Sequence, residues 1–305
     1  MTIRARGWHL RAGPASRRAL RDGLAIAGLL FAAYLFVVVA PVAGTVGFDA
    51  FAYWSVDLDD PYRLVAGELG AFPYTPIAAR LFAPAGLLPW PAFWWLWTAI
   101  LVATAIWLGW RRAILVLAFP PVALELYHGN VHLLLAAAIA LGMRYPAAWA
   151  FVLITKVTPG VGLIWFLVRR EWRQLGIALG VTATIVAVSL VIDGRLWKEW
   201  IVDGLLPVAG GPVQQFYVGI PLLIRLPLAA ALVVWGARTD RIWTVPAGAA
   251  LALPVLWLSG LSILAAIPAI ERLRPGGGRH HASPDGVAQG ASAPIGMTDT
   301  PSGRR

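Results

Sequence analysis

The chain has 305 residues, 59% hydrophobic and only 13% charged, with a net charge of +10. A soluble domain of this size holds about 25% charged residues, so the composition excludes an ordinary water-soluble fold and points to a polytopic membrane protein. Cysteine is absent, which excludes disulfides, thiolate chemistry and Cys-ligated metal.

The positive charge is punctuation rather than a stripe. Arg4, Arg6, Arg11, Arg17, Arg18 and Arg21 precede the first apolar run, and Arg111-Arg112, Arg144 and Arg169-Arg170 close later ones. That is the positive-inside pattern of a membrane protein, and it argues against a nucleic-acid partner. The 16 tryptophans suit the membrane–water interface.

In chain order, residues 1–23 form a basic cytoplasmic leader and 24–46 a first, retained span running outward. Residues 47–73 make an outer loop, and 74–88 are apolar but short and proline-rich, as in a half-depth segment. Residues 90–110 return inward to Arg111-Arg112. Segments 113–126, 131–143, 146–157 and 159–168 then alternate, several shorter than a full crossing needs. Residues 175–192 go out to a second outer loop at 193–218, and 220–236, 242–257 and 259–270 complete the set. Residues 275–305 are rich in Gly, Pro, Ser and Arg and read as a disordered cytoplasmic tail. The expected architecture is an all-α membrane domain over 24–274, with about ten membrane segments and two larger extracytoplasmic loops. The acids support this orientation, since Asp49, Asp57, Asp59, Asp60, Glu68, Glu125, Asp193, Glu199 and Asp203 all fall on the outer side.

Four constellations carry candidate chemistry. The first is Asp49 with Tyr53, Arg63 and Tyr74 in and just after the first outer loop. A carboxylate where a span meets water is a functional-site candidate, and carboxylates beside aromatics suit a sugar. The neighbouring Asp57, Asp59 and Asp60 read instead as solvated caps, with Asp59-Asp60-Pro61 as a helix start. The second is Glu125-Leu126-Tyr127-His128-Gly129-Asn130-Val131-His132, at an outer turn between short segments. Two His at i and i+4 suggest metal, but Gly129 lies between them and no third ligand follows at fixed spacing. Polar groups lining a cavity, or capping the next helix through Asn130, are the preferred reading, and no metal is expected. The third is Lys156 in Thr155-Lys156-Val157-Thr158-Pro159, at the outer end of a short segment, where an ammonium wants an anion or snorkels. The fourth is Gln214-Gln215-Phe216-Tyr217 with Arg225 beyond, two amides beside two aromatics.

In this order the motifs resemble the GT-C glycosyltransferases, specifically glycosyltransferase family 87, the polyprenyl-phosphate-mannose-dependent mannosyltransferases of bacterial envelopes. The resemblance runs over roughly residues 20–270: Asp49 to Tyr53, Tyr74-Thr75-Pro76 through Leu88-Pro89, Gly129-Asn130-Val131-His132, Lys156-Val157-Thr158-Pro159, Gln214-Gln215-Phe216 and Arg225. It departs where the family's polar turn and later amide motif become Asn130, His132, Gln214 and Phe216. It departs again where a family His-Tyr pair falls on Ser259-Gly260. The resemblance implies a GT-C-like fold in the plasma membrane with its active site outside. The implied reaction moves a hexose, mannose above others, from a polyprenyl-phosphate sugar to an envelope glycolipid or glycan, inverting and without a cofactor. Asp49 would be the base. Lys156, Arg225 and Arg63 would hold the donor phosphate, and Tyr53, Tyr74, His128, Asn130, Gln214 and Gln215 would contact substrate. The competing readings are a transporter or flippase for an envelope lipid, which would carry mid-span charges and matching halves, and a degenerate, non-catalytic family member.

Overall fold

The structure, a computed structural model, describes residues 13–65, 67–205 and 219–274. Gln214 and Gln215, the first twelve residues of the leader and the expected tail at 275–305 lie outside the described residues. Every regular element among the described residues is helical.

Helix α1 (Pro14–Ala43) starts inside the basic leader, ten residues ahead of the expected span. The Ala-, Leu- and Arg-rich leader is made of strong helix formers, and Pro14 stands at the first helical position, so the helix extends past its apolar part. It stops at Gly44, which adopts φ 63°. The first loop then forms helix α2 (Phe48–Trp54), and α3 (Pro76–Phe82) follows, tightening into a 3₁₀ turn over Ala83–Leu87. Asp59-Asp60-Pro61 opens only a turn: Gly67 and Gly70 take φ of 104° and 91°, and no apolar face follows to bury a helix.

Helix α4 (Trp90–Gly109) turns at Trp110 (φ 49°) and Arg111-Arg112 into α5 (Ala113–Leu117). Helices α6 (Pro120–His128) and α7 (His132–Gly142) meet at a bend of 118°. Next come α8 (Trp149–Thr155), a 3₁₀ run over Thr158–Leu163, α9 (Ile164–Val168) and α10 (Trp172–Ile192). The chain continues through α11 (Gly194–Glu199), α12 (Leu222–Thr239), α13 (Thr244–Leu251), a 3₁₀ run over Leu258–Ala265 and α14 (Ala266–Leu273).

Among the described residues, four stretches are long and apolar enough to cross a membrane: Pro14–Ala43, Trp90–Leu117, Trp172–Ile192 and Leu222–Thr239. The α6–α7 pair makes a fifth if read as one broken span. The expected ten segments are thus met only in part. The other predicted segments are short helices, interrupted at Pro120, Gly129, Pro146 and Pro159. A nine-residue helix such as α6 is roughly 14 Å long, under half the hydrocarbon thickness.

Burial separates scaffold from lipid-facing surface. Along α1 and α10 only 11% of the apolar window is buried within the protein, as for helices that present their sides to acyl chains. The core gathers on α7, where Leu133, Leu135, Ile139 and Ala140 are fully buried, and on the aromatic cluster above it. There Tyr53 stacks on Phe82 with ring centroids 4.5 Å apart and leans on Trp97 at 5.4 Å. The indole N–H of Trp97 donates to the Gly129 carbonyl at 2.7 Å. The first loop is therefore packed onto the α6–α7 turn.

Candidate active site

The α6–α7 turn is the pivot. Gly129 ends α6 with φ 70°, a left-handed conformation that an L side chain adopts only under strain. A Cβ there would also lie 2.7 Å from Cβ of Ala50 and 3.0 Å from the Trp94 ring, so glycine lets α2 approach. The Gly47 N–H donates to the Tyr127 carbonyl at 2.8 Å, and the Thr45 and Tyr127 hydroxyls bond at 2.8 Å. These contacts clamp the start of α2 beside the turn and bring Asp49, in the first turn of α2, to the polar residues around Gly129.

Asp49 is half-buried, and the Asn130 side chain hydrogen-bonds its carboxylate. Burial pushes its carboxyl above the usual aspartate range. The Asn130 bond, His128 and Lys156 oppose this shift, while the Glu125 carboxylate adds to it. Asn130, His128, Lys156 and Glu125 are thus the polar and charged neighbours of Asp49. Asn130 accepts through Oδ1 from its neighbour's N–H at Val131 (2.7 Å) and from the Tyr53 hydroxyl (3.3 Å). The Tyr53 and Tyr74 hydroxyls bond at 2.8 Å, and the Lys156 ammonium lies 5.5 Å from the Tyr74 ring centroid.

A second chain of contacts reaches Lys156 from the opposite side. Lys156 Nζ lies 2.8 Å from His132 Nε2, and His132 Nδ1 lies 2.9 Å from Glu125 Oε2. Glu125 and His132 are both fully buried. The other oxygen of Glu125 accepts from the backbone N–H groups of His132 and Leu133, so Glu125, not the expected Asn130, caps the start of α7. Both ring nitrogens of His132 are engaged, which leaves none for a metal shared with His128. His128 is half-buried and packs edge-on against Tyr127 at 4.9 Å.

Asp49, Tyr53, Tyr74, His128, Asn130 and Lys156 thus come from four separate stretches of chain to one place. The two arginines expected to join Lys156 have other partners. Arg225 is buried at 3% exposure, and its guanidinium donates to the carbonyls of Ile220, Leu251, Leu253 and Pro254, securing the end of α13. Arg63 pairs with Asp57 at 3.3 Å in the exposed part of the first loop. Glu125 and His132, placed by sequence among the polar groups of this turn but given no role of their own, are the functional residues that pattern alone missed. A carboxylate inside an apolar run, seven residues before a histidine and across a glycine turn, was the available signal.

A model of glycosyltransferase family 87 matches residues 72–273, well over half of the chain. The chain belongs to glycosyltransferase family 87. It is therefore a membrane glycosyltransferase, and a sugar donor and an acceptor are its substrates. Within this family 87 protein the matched span takes in Tyr74, Glu125, His128, Asn130, His132, Lys156 and Arg225, and starts after Asp49, Tyr53 and Arg63. No curated protein and no solved structure matches the chain.

Proposed function

We propose that this enzyme transfers a hexose, mannose first among the candidates, from a polyprenyl-phosphate sugar to an envelope glycolipid or glycan. The reaction takes place at the outer face of the plasma membrane. The observation that carries this reading is the convergence of Asp49 and Lys156 on one polar cluster at the end of a short, broken membrane segment. A lipid-linked donor with its phosphate at that depth meets an ammonium and, beside it, a carboxylate.

In the proposed reaction Asp49 accepts the proton of the acceptor hydroxyl as its oxygen bonds to the anomeric carbon. The bond from that carbon to the phosphate oxygen breaks on the opposite face, and the polyprenyl phosphate leaves with the added charge facing Lys156. One displacement inverts the anomeric centre, whereas retention would call for a second carboxylate as nucleophile about 5 Å from the first. His128, Asn130 and Tyr74 line the sugar's side of the site, while the fully buried Tyr53 supports Asn130 and Tyr74 through its hydroxyl in place of the substrate contact expected of it. Gln214 and Gln215 are proposed as further hydroxyl ligands, and Lys156 carries the phosphate role without Arg225 or Arg63.

The test is transfer of label from radiolabelled polyprenyl-phosphate-mannose in membranes containing wild type or Asp49→Asn. Label in product from wild type alone, with both proteins equally folded, is the expected outcome. Equal label from both would remove Asp49 as the base. Label from neither would point to a different donor, to an acceptor missing from these membranes, or to a non-catalytic family member.

A further inference from the structure

Lys156, His132 and Glu125 form a line of three ionisable groups that runs inward from the polar cluster around Asp49. Its proton order follows from the donors available. An ammonium has only N–H to offer, so His132 Nε2, 2.8 Å away, must accept. The imidazole proton then sits on Nδ1 and is donated to Glu125 Oε2 at 2.9 Å. Oε1 of Glu125 meets two backbone N–H groups at the start of α7, which only an acceptor satisfies, and this fixes how the carboxylate is turned. The chain of donors therefore runs one way, from lysine to histidine to glutamate, and ends on a helix start.

We infer that Glu125 and His132 are positioning residues that hold Lys156 charged and aimed at the donor's phosphate. The inference rests on the reading of Lys156 as the phosphate ligand. Three observations carry it. Glu125 and His132 are sealed from solvent while Lys156 is only half-buried, so the line has an inner anchored end and an outer working end. His132 uses one of the three ammonium protons and leaves two for an incoming anion. The Glu125 carboxylate balances the lysine's charge through a neutral ring, so the site can accept a phosphate without the carboxylate facing it. Asp49, His128, Tyr53 and Tyr74 are the other titratable groups around Lys156, and among the described residues no hydrogen bond joins them to His132 or Glu125.

Glu125→Gln is the sharpest variant because it keeps size and packing. An amide offers one acceptor and two donors. If its oxygen caps α7, its NH₂ faces Nδ1, which forces the proton to Nε2 and points an N–H at the Lys156 ammonium. Donor and acceptor KM and kcat would be measured for Glu125→Gln, His132→Gln, Lys156→Met and the His132→Gln/Lys156→Met pair. Melting in detergent would be recorded for each.

The expected result is a donor KM raised about 10-fold in Glu125→Gln and His132→Gln, of the size expected for losing a hydrogen bond to a charged group, with acceptor KM unchanged. On the Lys156→Met background His132→Gln should add nothing further. An undiminished further loss there would overturn the inference, because His132 would then act without Lys156. If Lys156→Met leaves donor KM unchanged, the phosphate role of Lys156 itself fails, whatever the other variants do. Should Glu125→Gln not fold, ¹⁵N-histidine spectra of a chain whose other four histidines are replaced decide the matter. A neutral, Nδ1-protonated His132 is expected, and the Nε2-protonated form would overturn the proposal.

Discussion

Burial raises the carboxyl of Asp49, the proposed base, above its ordinary range, and in that role it works only when deprotonated. Transfer should therefore fall as pH drops through that raised value and be full above it. The acid limb of kcat/KM should lie at higher pH than an exposed aspartate would give. Because the Asn130 bond lowers the Asp49 carboxyl, Asn130→Ala should move the limb further towards neutrality. A limb that stays in place in this variant would mean that Asn130 does not hold the base. Arg225 sets the contrasting case. Its guanidinium answers four backbone carbonyls, so Arg225→Met orphans them and should cost at least about 3 kcal/mol of stability, with donor KM unchanged. An unchanged melting temperature with a raised donor KM would return the phosphate role to Arg225.

At the scale of elements, the α6–α7 turn does most of the assembly. It points the end of α6 and the start of α7 at the same spot, and it admits α2 against Gly129. Gly129→Ala should destabilise the protein by about 1–3 kcal/mol through the left-handed backbone alone. The added methyl group would also press on Ala50, so α2 and Asp49 would shift and kcat should fall by more than the loss of folded protein explains. Melting curves and activity per folded molecule separate the two effects. The short helices follow from the same economy. Proline and glycine interrupt the apolar runs, and each break brings a helix end with its free N–H or C=O groups to a depth where side chains such as Glu125 and Arg225 can satisfy them.

For the whole molecule, the orientation is open to direct test. The chain has no cysteine, so single cysteines report accessibility without background. Asp60→Cys, in the first loop, should react with an impermeant maleimide on intact cells, and Arg111→Cys, at the turn after α4, only after permeabilisation. The reverse pattern would place the cluster around Asp49 and Lys156 on the cytoplasmic side, away from an outer-face donor.

The sequence by itself determined the membrane class, the family and most helix positions. Long apolar runs closed by arginine have one stable environment, and the breaks at Pro120, Gly129 and Pro159 are written in residue type. It also marked Asp49, Lys156, Asn130 and the two tyrosines, because polar groups are conspicuous in an apolar chain. Only the tertiary structure decided which of them meet. Glu125 and His132 became a line to Lys156 because a 118° bend turns two helices towards each other. Arg225 was drawn to the carbonyls at the end of α13, a partner nearly thirty residues away in the chain. Hydrogen bonds between distant segments depend on how helices cross, and local residue pattern carries no record of that.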